Sequence, residues 1–257
     1  MRFFVFVGGW CASLIYRRSS ARSGYALRMA LSSVALRARF EADGFVVIEG
    51  WLSLVELNAL RCEADECTSG GDTAAALSRG CIFETAQPAG ACSRRDFLAR
   101  RGGSPAVHSL LFGAKLRELA HLLLSPSSAT LCLFNEQFIC KPAHSGSAAA
   151  FAWHRDSQWC EESQARYISI WVALDDMSEE NGTLCIKPGS HLGSDESREP
   201  YIVTVDAGAA VVLCDAVLHA SGRNLSDAPR RAWMPQFSDG AVLEAGRAQM
   251  HAVPLNS

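Results

Sequence analysis

Short alternating apolar and polar segments fill the C-terminal half of the chain. From Thr130 onward they are separated by turn signals such as Asn181-Gly182 and Pro188-Gly189-Ser190. Many short strands at this spacing predict a β-sandwich or barrel. The predicted strands span residues 130–141, 149–155, 166–175, 183–187, 201–205, 209–214 and 230–237.

The first half combines one early strand with helical periodicity. An apolar run predicts a strand over Phe45–Ile48, after a turn at Asp43-Gly44. Ser53 and Glu56 have the spacing of a capping box, which predicts the start of a helix. The predicted apolar face of this helix carries Leu54, Leu57, Leu60 and Cys62.

Two further segments complete the first half. Apolar periodicity predicts one second helix over residues 106–124, before Ser125-Pro126. Residues 68–105 are rich in Gly, Ser, Ala and Arg, and we expect loops with short strands there. The apolar positions of the second helix are Val107, Leu110, Leu111, Leu116, Leu119 and Leu122.

Composition favours one folded domain with a small or neutral partner. The 257 residues are 49% hydrophobic, which suffices for one large, well-buried core. Lys and Arg number 24 against 27 Asp and Glu, so the net charge is only −3. This balance argues against a disordered chain and against a nucleic-acid partner.

The ten cysteines are scattered, with no C-x-x-C pair and no dense cluster. A zinc site or a disulfide framework would need such a cluster. We therefore expect reduced, mostly buried thiols and an intracellular, reducing compartment.

The first 40 residues are rich in arginine and contain no acidic residue. This bias is typical of a mitochondrial or plastid transit peptide, although translation starting at Met29 would equally explain it. The apolar stretch Phe3–Tyr16 is too short to span a bilayer, so we expect no stable membrane insertion; a secretory signal is a third interpretation. We predict an extension over residues 1–35 and one domain over 36–257, located in the cytoplasm or, with a transit peptide, in an organelle.

The segment Ala152-Trp153-His154-Arg155-Asp156 contains the strongest candidate chemistry. On an extended backbone, residues i and i+2 point to the same face, so His154 and Asp156 can reach one cation. Alone, such a pair is more often a surface histidine beside a solvated acid. His219, 65 residues downstream at the end of an apolar run, is the third candidate.

Two histidines and one carboxylate form the facial triad of non-haem Fe(II) oxygenases. The triad leaves three coordination positions open, two for a chelating 2-oxo acid and one for dioxygen. A closed set of four ligands would instead indicate structural zinc. A packed or capping role remains the simpler interpretation of His219 taken alone.

A candidate carboxylate site follows His219. Ser221, two residues later, is expected to face the same interior, and Arg230 to begin a returning strand beside the metal. Arg230 can bind the distal carboxylate of 2-oxoglutarate with two hydrogen bonds, and Ser221 can add another. Arg231 must face the opposite way in a strand; in isolation, a solvated arginine pair on an edge strand would be the simpler interpretation.

The segment from Tyr167 to Asp176 is predicted to be an alternating strand. Trp171 shares one face with Ser169 and Ala173, beside the expected cleft. A tryptophan in a barrel is more often simply part of the core. The opposite face carries Ile168, Ile170, Val172 and Leu174.

Several motifs, in order and spacing, resemble the phytanoyl-CoA dioxygenase family. They are F-E-A-D-G-F-V-V-I-E-G-W-L-S at 40–53, W-H-R-D at 153–156, I-W-V-A-L-D-D-M-S-E-E-N-G-T-L at 170–184, P-G-S-H at 188–191 and H-A-S-G-R-N-L-S-D-A-P-R-R at 219–231. The resemblance covers roughly residues 36–250. It implies a mainly β fold with flanking helices, the double-stranded β-helix or jelly roll.

The resemblance also implies roles for individual residues. His154, Asp156 and His219 would bind Fe(II), and Arg230 with Ser221 would hold 2-oxoglutarate, with O2 as second co-substrate and ascorbate as a possible stimulant. Trp171 and Gln137 would line the 2-oxoglutarate site, although some relatives have an apolar residue in place of Gln137. Arg94 or Arg95 would be a further basic contact. Halogenases of the family replace the iron-binding carboxylate by a small residue, so Asp156 implies hydroxylation.

Two rival hypotheses remain at this stage. A silent β-helix domain would bind a ligand without turnover, and a cupin-like dioxygenase or metal-dependent isomerase would use the metal without 2-oxoglutarate. Arg230 discriminates, since those enzymes need no fixed carboxylate clamp. The substrate, a small molecule or an acyl group, and the oligomeric state do not follow from the sequence; Trp159 is a candidate wall of the substrate cavity or a packing residue.

Overall fold

The computed structural model describes residues within the range Leu31–Ser257. Residues 1–32 of the predicted extension, which spans residues 1–35, lie outside the described part. The role of the extension therefore stays a prediction. Within the described ranges no helix is both long and apolar enough to cross a membrane. The described residues are 33–68, 81–83, 91–94, 104–124, 131–159, 165–193, 198–240, 242–244, 247–248 and 253–254.

Two helices flank the first strand, and the predicted cap is present. Helix α1 spans Ser33–Asp43 and helix α2 spans Leu54–Thr68. At the start of α2, the Ser53 backbone N–H donates to Glu56 Oε2 at 2.7 Å, and the Glu56 N–H donates back to Ser53 Oγ at 3.3 Å. This reciprocal pair is the capping box predicted from the sequence.

The predicted apolar face of α2 is only partly correct. Leu57 and Leu60 are buried together with Ala64, but Leu54 is 76% exposed and Cys62 is also exposed. Cys62 lies two residues beyond Leu60, roughly 200° around the helix, so it cannot share the buried face. Leu54 is the first residue of the helix.

The single helix predicted over 106–124 is wrong, because the segment forms two helices. Helix α3 spans Pro105–Leu111, helix α4 spans Ala114–Leu124, and Gly113 separates them. In one continuous helix Leu116 would lie roughly 180° from Val107, since each residue turns the helix by about 100°. The break allows both residues to be buried.

Fourteen strands occur among the described residues. They are β1 Phe45–Ile48, β2 Cys81–Phe83, β3 Ala91–Arg94, β4 Cys132–Lys141, β5 Phe151–His154, β6 Tyr167–Ala173, β7 Leu184–Ile186, β8 Tyr201–Ile202, β9 Ala210–Cys214, β10 His219–Ser221, β11 Arg230–Ser238, β12 Leu243–Glu244, β13 Arg247–Ala248 and β14 Val253–Pro254. Short 3-10 helices span Ser147–Ala149, Asp156–Trp159 and Ser190–Leu192.

Antiparallel pairing arranges these strands in two main sheets. The larger sheet has the order β1-β9-β6-β11-β4-β3-β2, with β14 also paired to β4, and the smaller has the order β5-β10-β7-β8. One buried cluster joins β4, β6, β9 and β11 of the larger sheet to β7 of the smaller one. The predicted double-stranded β-helix with flanking helices is thereby confirmed.

Alternation along β6 separates two cores, as predicted. Ile168, Ile170 and Val172 pack in the cluster that includes residues of all four helices. Trp171 and Ala173 belong to the cluster between the two sheets. The co-substrate cleft predicted beside Trp171 therefore lies on the inter-sheet side.

Several strand boundaries differ from the prediction. Strand β5 ends at His154, and Asp156 begins a 3-10 helix instead of continuing the strand. The segment 201–205 is a strand only over Tyr201–Ile202, and His219–Ser221 forms a separate strand, β10. Among the described cysteines, Cys132 and Cys140 are buried free thiols.

Candidate metal centre

Strands β5 and β10 bring the two candidate histidines together. His154 and His219 are direct cross-strand partners, and their ring centroids are 4.2 Å apart. The next pair along the two strands is Phe151 with Ser221, so β5 contains two residues where β10 has one. This β-bulge makes Phe151 and His154 cross-strand partners of Ser221 and His219, although three positions separate them in the sequence.

Backbone carbonyls fix the orientation of both imidazoles. His154 Nδ1 is 2.7 Å from the Ala152 carbonyl oxygen, and His219 Nδ1 is 3.0 Å from that of Val217. A carbonyl only accepts hydrogen bonds, so each Nδ1 carries a hydrogen and Nε2 is the nitrogen left to bind a metal. Burial also lowers the pKa of His219, which favours the neutral imidazole that a metal needs.

Asp156 completes the set although it lies just beyond the strand. Its Oδ1 is 3.6 Å from His154 Nε2 and 3.6 Å from His219 Nε2. These separations are too long for hydrogen bonds, but two metal–ligand bonds of ~2.1 Å can cover them. The three ligand atoms all lie within 4.8 Å of one another. Two imidazoles and one carboxylate oxygen are a ligand set that suits Fe(II).

Asp156 has a second oxygen with partners of its own. Ser169 Oγ donates to Asp156 Oδ2 at 2.5 Å, and Gln236 Nε2 lies 3.5 Å from the same oxygen. Ser169 and Gln236 are both buried. Oδ1 is therefore the oxygen left to face the two histidines.

A second polar cluster contains Arg230 and an unpredicted residue, Lys141. The two are direct cross-strand partners at the ends of β11 and β4, and each is only 1% exposed. Like charges directly opposite each other in a sheet are destabilising. Burial, and then the charge of Arg230, lowers the pKa of Lys141 to about 6, and burial lowers the pKa of Arg230 to about 10.

Both side chains donate only to neutral oxygens within the described residues. Lys141 Nζ donates to Ser221 Oγ at 2.7 Å and makes a short contact with the Gly222 carbonyl. Arg230 Nη2 donates to the Gly182 carbonyl at 2.8 Å, while its Nε is buried without a hydrogen-bond partner among the described residues. Two buried basic side chains without a carboxylate partner among the described residues match a site for an anionic ligand.

Alternation in β11 separates the two arginines, as predicted. Arg231 is bound by Asp175 and Asp65 on the opposite side of the strand. Arg230 instead lies beside Trp171, with its Cζ 5.8 Å from the indole ring. Arg230 is therefore the arginine that faces the predicted co-substrate cleft.

The remaining predicted residues differ in how well they are placed. Gln137 lies on β4 between Asn135 and Ile139, and alternation puts it on the face that carries Lys141. The side chains of Arg94 and Trp159, and all of Arg95, lie outside the described part, so their roles stay predictions.

The family model of phytanoyl-CoA dioxygenase (PhyH) matches residues 40–232. Phytanoyl-CoA dioxygenase domain-containing protein 1 of Bos taurus is 26% identical over 83% of this chain and 92% of its own length.

Two solved structures show the same fold. EctD from S. alaskensis in its apoform has a TM-score of 0.68 at 22% identity, covering 91% of this chain and 89% of its own. The epimerase SnoN in complex with Fe3+, alpha ketoglutarate and nogalamycin RO has a TM-score of 0.64 at 22% identity, covering 84% and 87%.

Proposed function

The chain belongs to the phytanoyl-CoA dioxygenase (PhyH) family and is an iron- and 2-oxoglutarate-dependent dioxygenase, and we propose that it hydroxylates a small molecule or an acyl group. The observation that carries the proposal is the close arrangement of two sites. One site is the triad His154, Asp156 and His219, and the other contains the buried basic residues Lys141 and Arg230. The short strand β10 links them, because it carries His219 and also Ser221, to which Lys141 donates.

His154, Asp156 and His219 are proposed as the Fe(II) ligands. The free Nε2 lone pairs and Asp156 Oδ1 point toward one another, while every other polar atom of the three side chains has a partner. When bound, iron would supply the oxidising chemistry with O2, in which 2-oxoglutarate is converted to succinate and carbon dioxide. The protein residues orient the reactants and exclude water.

Arg230, Lys141 and Ser221 are proposed to hold the distal carboxylate of 2-oxoglutarate. Arg230 supplies a planar fork that matches a carboxylate, and Lys141 supplies a second basic group directly opposite it in the sheet. Ser221 adds a hydroxyl that Lys141 already contacts at 2.7 Å. A bound anion would favour the protonated form of Lys141 and would pair with both basic groups.

Trp171, Gln137 and Phe151 are proposed as the walls of this cleft. Trp171 lies against the Arg230 guanidinium and Phe151 against the Lys141 amine, whose Nζ is 5.4 Å from the ring centre. Such apolar walls exclude water and strengthen the charge interactions within the cleft. A small-molecule substrate is supported by SnoN, whose solved complex contains nogalamycin RO.

Succinate formation tests the proposal directly. The full chain would be freed of metal, resupplied with Fe(II) and ascorbate, and incubated with 2-oxoglutarate, with succinate as the readout. We expect iron-dependent succinate release that His154→Ala abolishes and that His108→Ala, a change at an exposed histidine of α3, leaves intact. Equal release by wild type and His154→Ala would contradict the proposal.

Binding of 2-oxoglutarate provides a second readout when turnover without substrate is slow. Calorimetric titration of the Mn(II)-loaded protein should show binding that Arg230→Leu abolishes. Absence of binding by the wild-type protein would favour a silent ligand-binding domain. Binding of metal with activity unaffected by Arg230→Leu would favour an enzyme that does not use 2-oxoglutarate.

A further inference from the structure

A row of polar side chains crosses three neighbouring strands and ends at Asp156. Gln236 on β11 is the direct cross-strand partner of Asn135 on β4 and of Ser169 on β6. Asn135 Nδ2 donates to Gln236 Oε1 at 2.7 Å, and Gln236 Nε2 donates to Ser169 Oγ at 2.8 Å. Ser169 Oγ then donates to Asp156 Oδ2 at 2.5 Å.

The direction of this row is set by one backbone N–H. The Glu136 N–H donates to Asn135 Oδ1 at 2.9 Å, and a backbone N–H can only donate. The Asn135 amide must therefore present its Nδ2 to Gln236, so Gln236 accepts through Oε1 and presents Nε2 to Ser169 and Asp156. Every donor in the row then points toward the Asp156 carboxylate.

We infer that Asn135, Gln236 and Ser169 form a positioning relay that keeps Asp156 a one-oxygen metal ligand. Oδ2 receives the hydrogen bond from Ser169 and faces Gln236, while Oδ1 lies equally far, 3.6 Å, from both histidine Nε2 atoms. An Asp156 free to rotate could bind the metal through both oxygens and occupy a position that a co-substrate needs. The inference rests on the proposed metal site.

A buried polar group that loses its hydrogen-bond partner costs free energy, and this cost explains why the relay acts as a unit. Ser169 is fully buried and Gln236 is 6% exposed, so neither can exchange a lost partner for bulk water. Reversing the Gln236 amide would bring Oε1 against Asp156 Oδ2, two acceptors without a hydrogen between them. The orientation of the Asn135 amide therefore controls the Asp156 carboxylate through two intervening side chains, Gln236 and Ser169.

Asn135→Asp tests the direction of the relay. The new carboxylate has nearly the same shape but only accepts, so Gln236 must turn Nε2 toward residue 135 and Oε1 toward Asp156. A negative charge added near a cation site would, through Coulomb attraction alone, tighten cation binding. The relay predicts weaker binding, because the orientation of a ligand is lost. The two explanations thus predict opposite signs.

The measurement is Co(II) titration of the full chain followed by visible absorption, which reports both affinity and coordination geometry. We expect Asn135→Asp to bind Co(II) roughly 10- to 100-fold more weakly, with an altered spectrum, as outer-shell changes do. Asn58→Asp, the same chemical change at an exposed helix position, should match wild type. If Asn135→Asp does not fold, Gln236→Met, which removes the donor without adding charge, is expected to give the same loss.

Two results would overturn the inference and are distinguishable. A folded Asn135→Asp or Gln236→Met protein with wild-type Co(II) affinity and spectrum would exclude the relay while leaving the metal site intact. Equal Co(II) binding by wild type and His154→Ala would exclude the proposed metal site, and the relay with it.

Discussion

Replacing Lys141 with methionine separates the binding role of this residue from its effect on stability. The lysine is 1% exposed, lies opposite Arg230 and donates to Ser221 and two backbone carbonyls. Methionine has a similar length and no charge. If Lys141 holds a carboxylate, Lys141→Met should weaken 2-oxoglutarate binding, and the loss should depend on pH.

The expected size follows from the pKa of Lys141. Burial lowers the pKa to about 6, so half of the free protein carries the charged amine at pH 6, and roughly one molecule in a hundred does at pH 8. If only the charged form binds, the wild-type Kd should rise roughly 50-fold between these values. A bound anion raises the pKa of Lys141, so binding requires proton uptake by the free protein. The affinity is therefore highest at or below pH 6 and falls as the pH rises.

The stability of the free protein should change in the opposite sense. In the unfolded chain the lysine pKa returns to ~10.4, so between pH 6 and 10 the unfolded state binds more protons than the folded state. The wild-type free energy of unfolding therefore carries a cost at pH 7 that diminishes as the pH rises. Lys141→Met removes that cost, and its metal-free Tm should exceed that of wild type.

Calorimetric titration of 2-oxoglutarate into the Mn(II)-loaded protein at pH 6, 7 and 8 measures the predicted slope. Lys115→Met, at a half-buried lysine of α4 that pairs with Glu56, is the matched control and should keep the wild-type slope. Weaker binding together with a higher Tm cannot arise from misfolding. The same pH dependence in wild type and Lys141→Met would refute the role of Lys141.

Three further changes test other parts of the structure. Arg230→Lys should weaken 2-oxoglutarate binding roughly 10- to 150-fold in the same titration, since a lysine lacks the planar fork; an unchanged Kd would exclude the clamp. Gly182→Ala should lower the free energy of unfolding by more than ~1 kcal/mol in urea titrations, because φ is +71° and a Cβ would lie 2.4 Å from the Gly222 carbonyl. Gly146→Ala, with φ −69° and open space around it, is the control and should not destabilise. Ser53→Ala should cost about 1 kcal/mol of unfolding free energy through loss of the helix cap, and an unchanged urea midpoint would contradict that.

The grouping of His154, Asp156 and His219 could be predicted because its signals are local or chemical. The i, i+2 spacing of His154 and Asp156 identified them as a pair, although Asp156 lies in a 3-10 helix and not on the strand. Alternation in a strand also separated Arg230 from Arg231, and the structure shows Arg231 bound to Asp175 instead. The alternation of side chains along a strand can be read from the sequence without knowing which strands are neighbours.

The residues that could not be predicted depend on lateral contacts or on irregular backbone. The relay of Asn135, Gln236 and Ser169 requires the strand order β4-β11-β6, which no local pattern contains. Phe151 partners Ser221 only because of the β-bulge in β5. Lys141 contradicts the expectation that lysines are exposed, and its place opposite Arg230 depends on the pairing of β4 with β11, which no local pattern contains.

The P-G-S-H motif shows how distant segments combine to fix one metal ligand. Ser190 Oγ accepts from the Leu218 N–H at 2.8 Å, and the Ser190 carbonyl accepts from Arg155 Nη1 at 3.0 Å. His191 Nε2 lies 3.0 Å from a backbone carbonyl near the end of α1. This loop thus joins the turn before His219 to the segment that carries the other two ligands. The loop thus links the segments that carry all three proposed ligands, although it contributes no ligand itself.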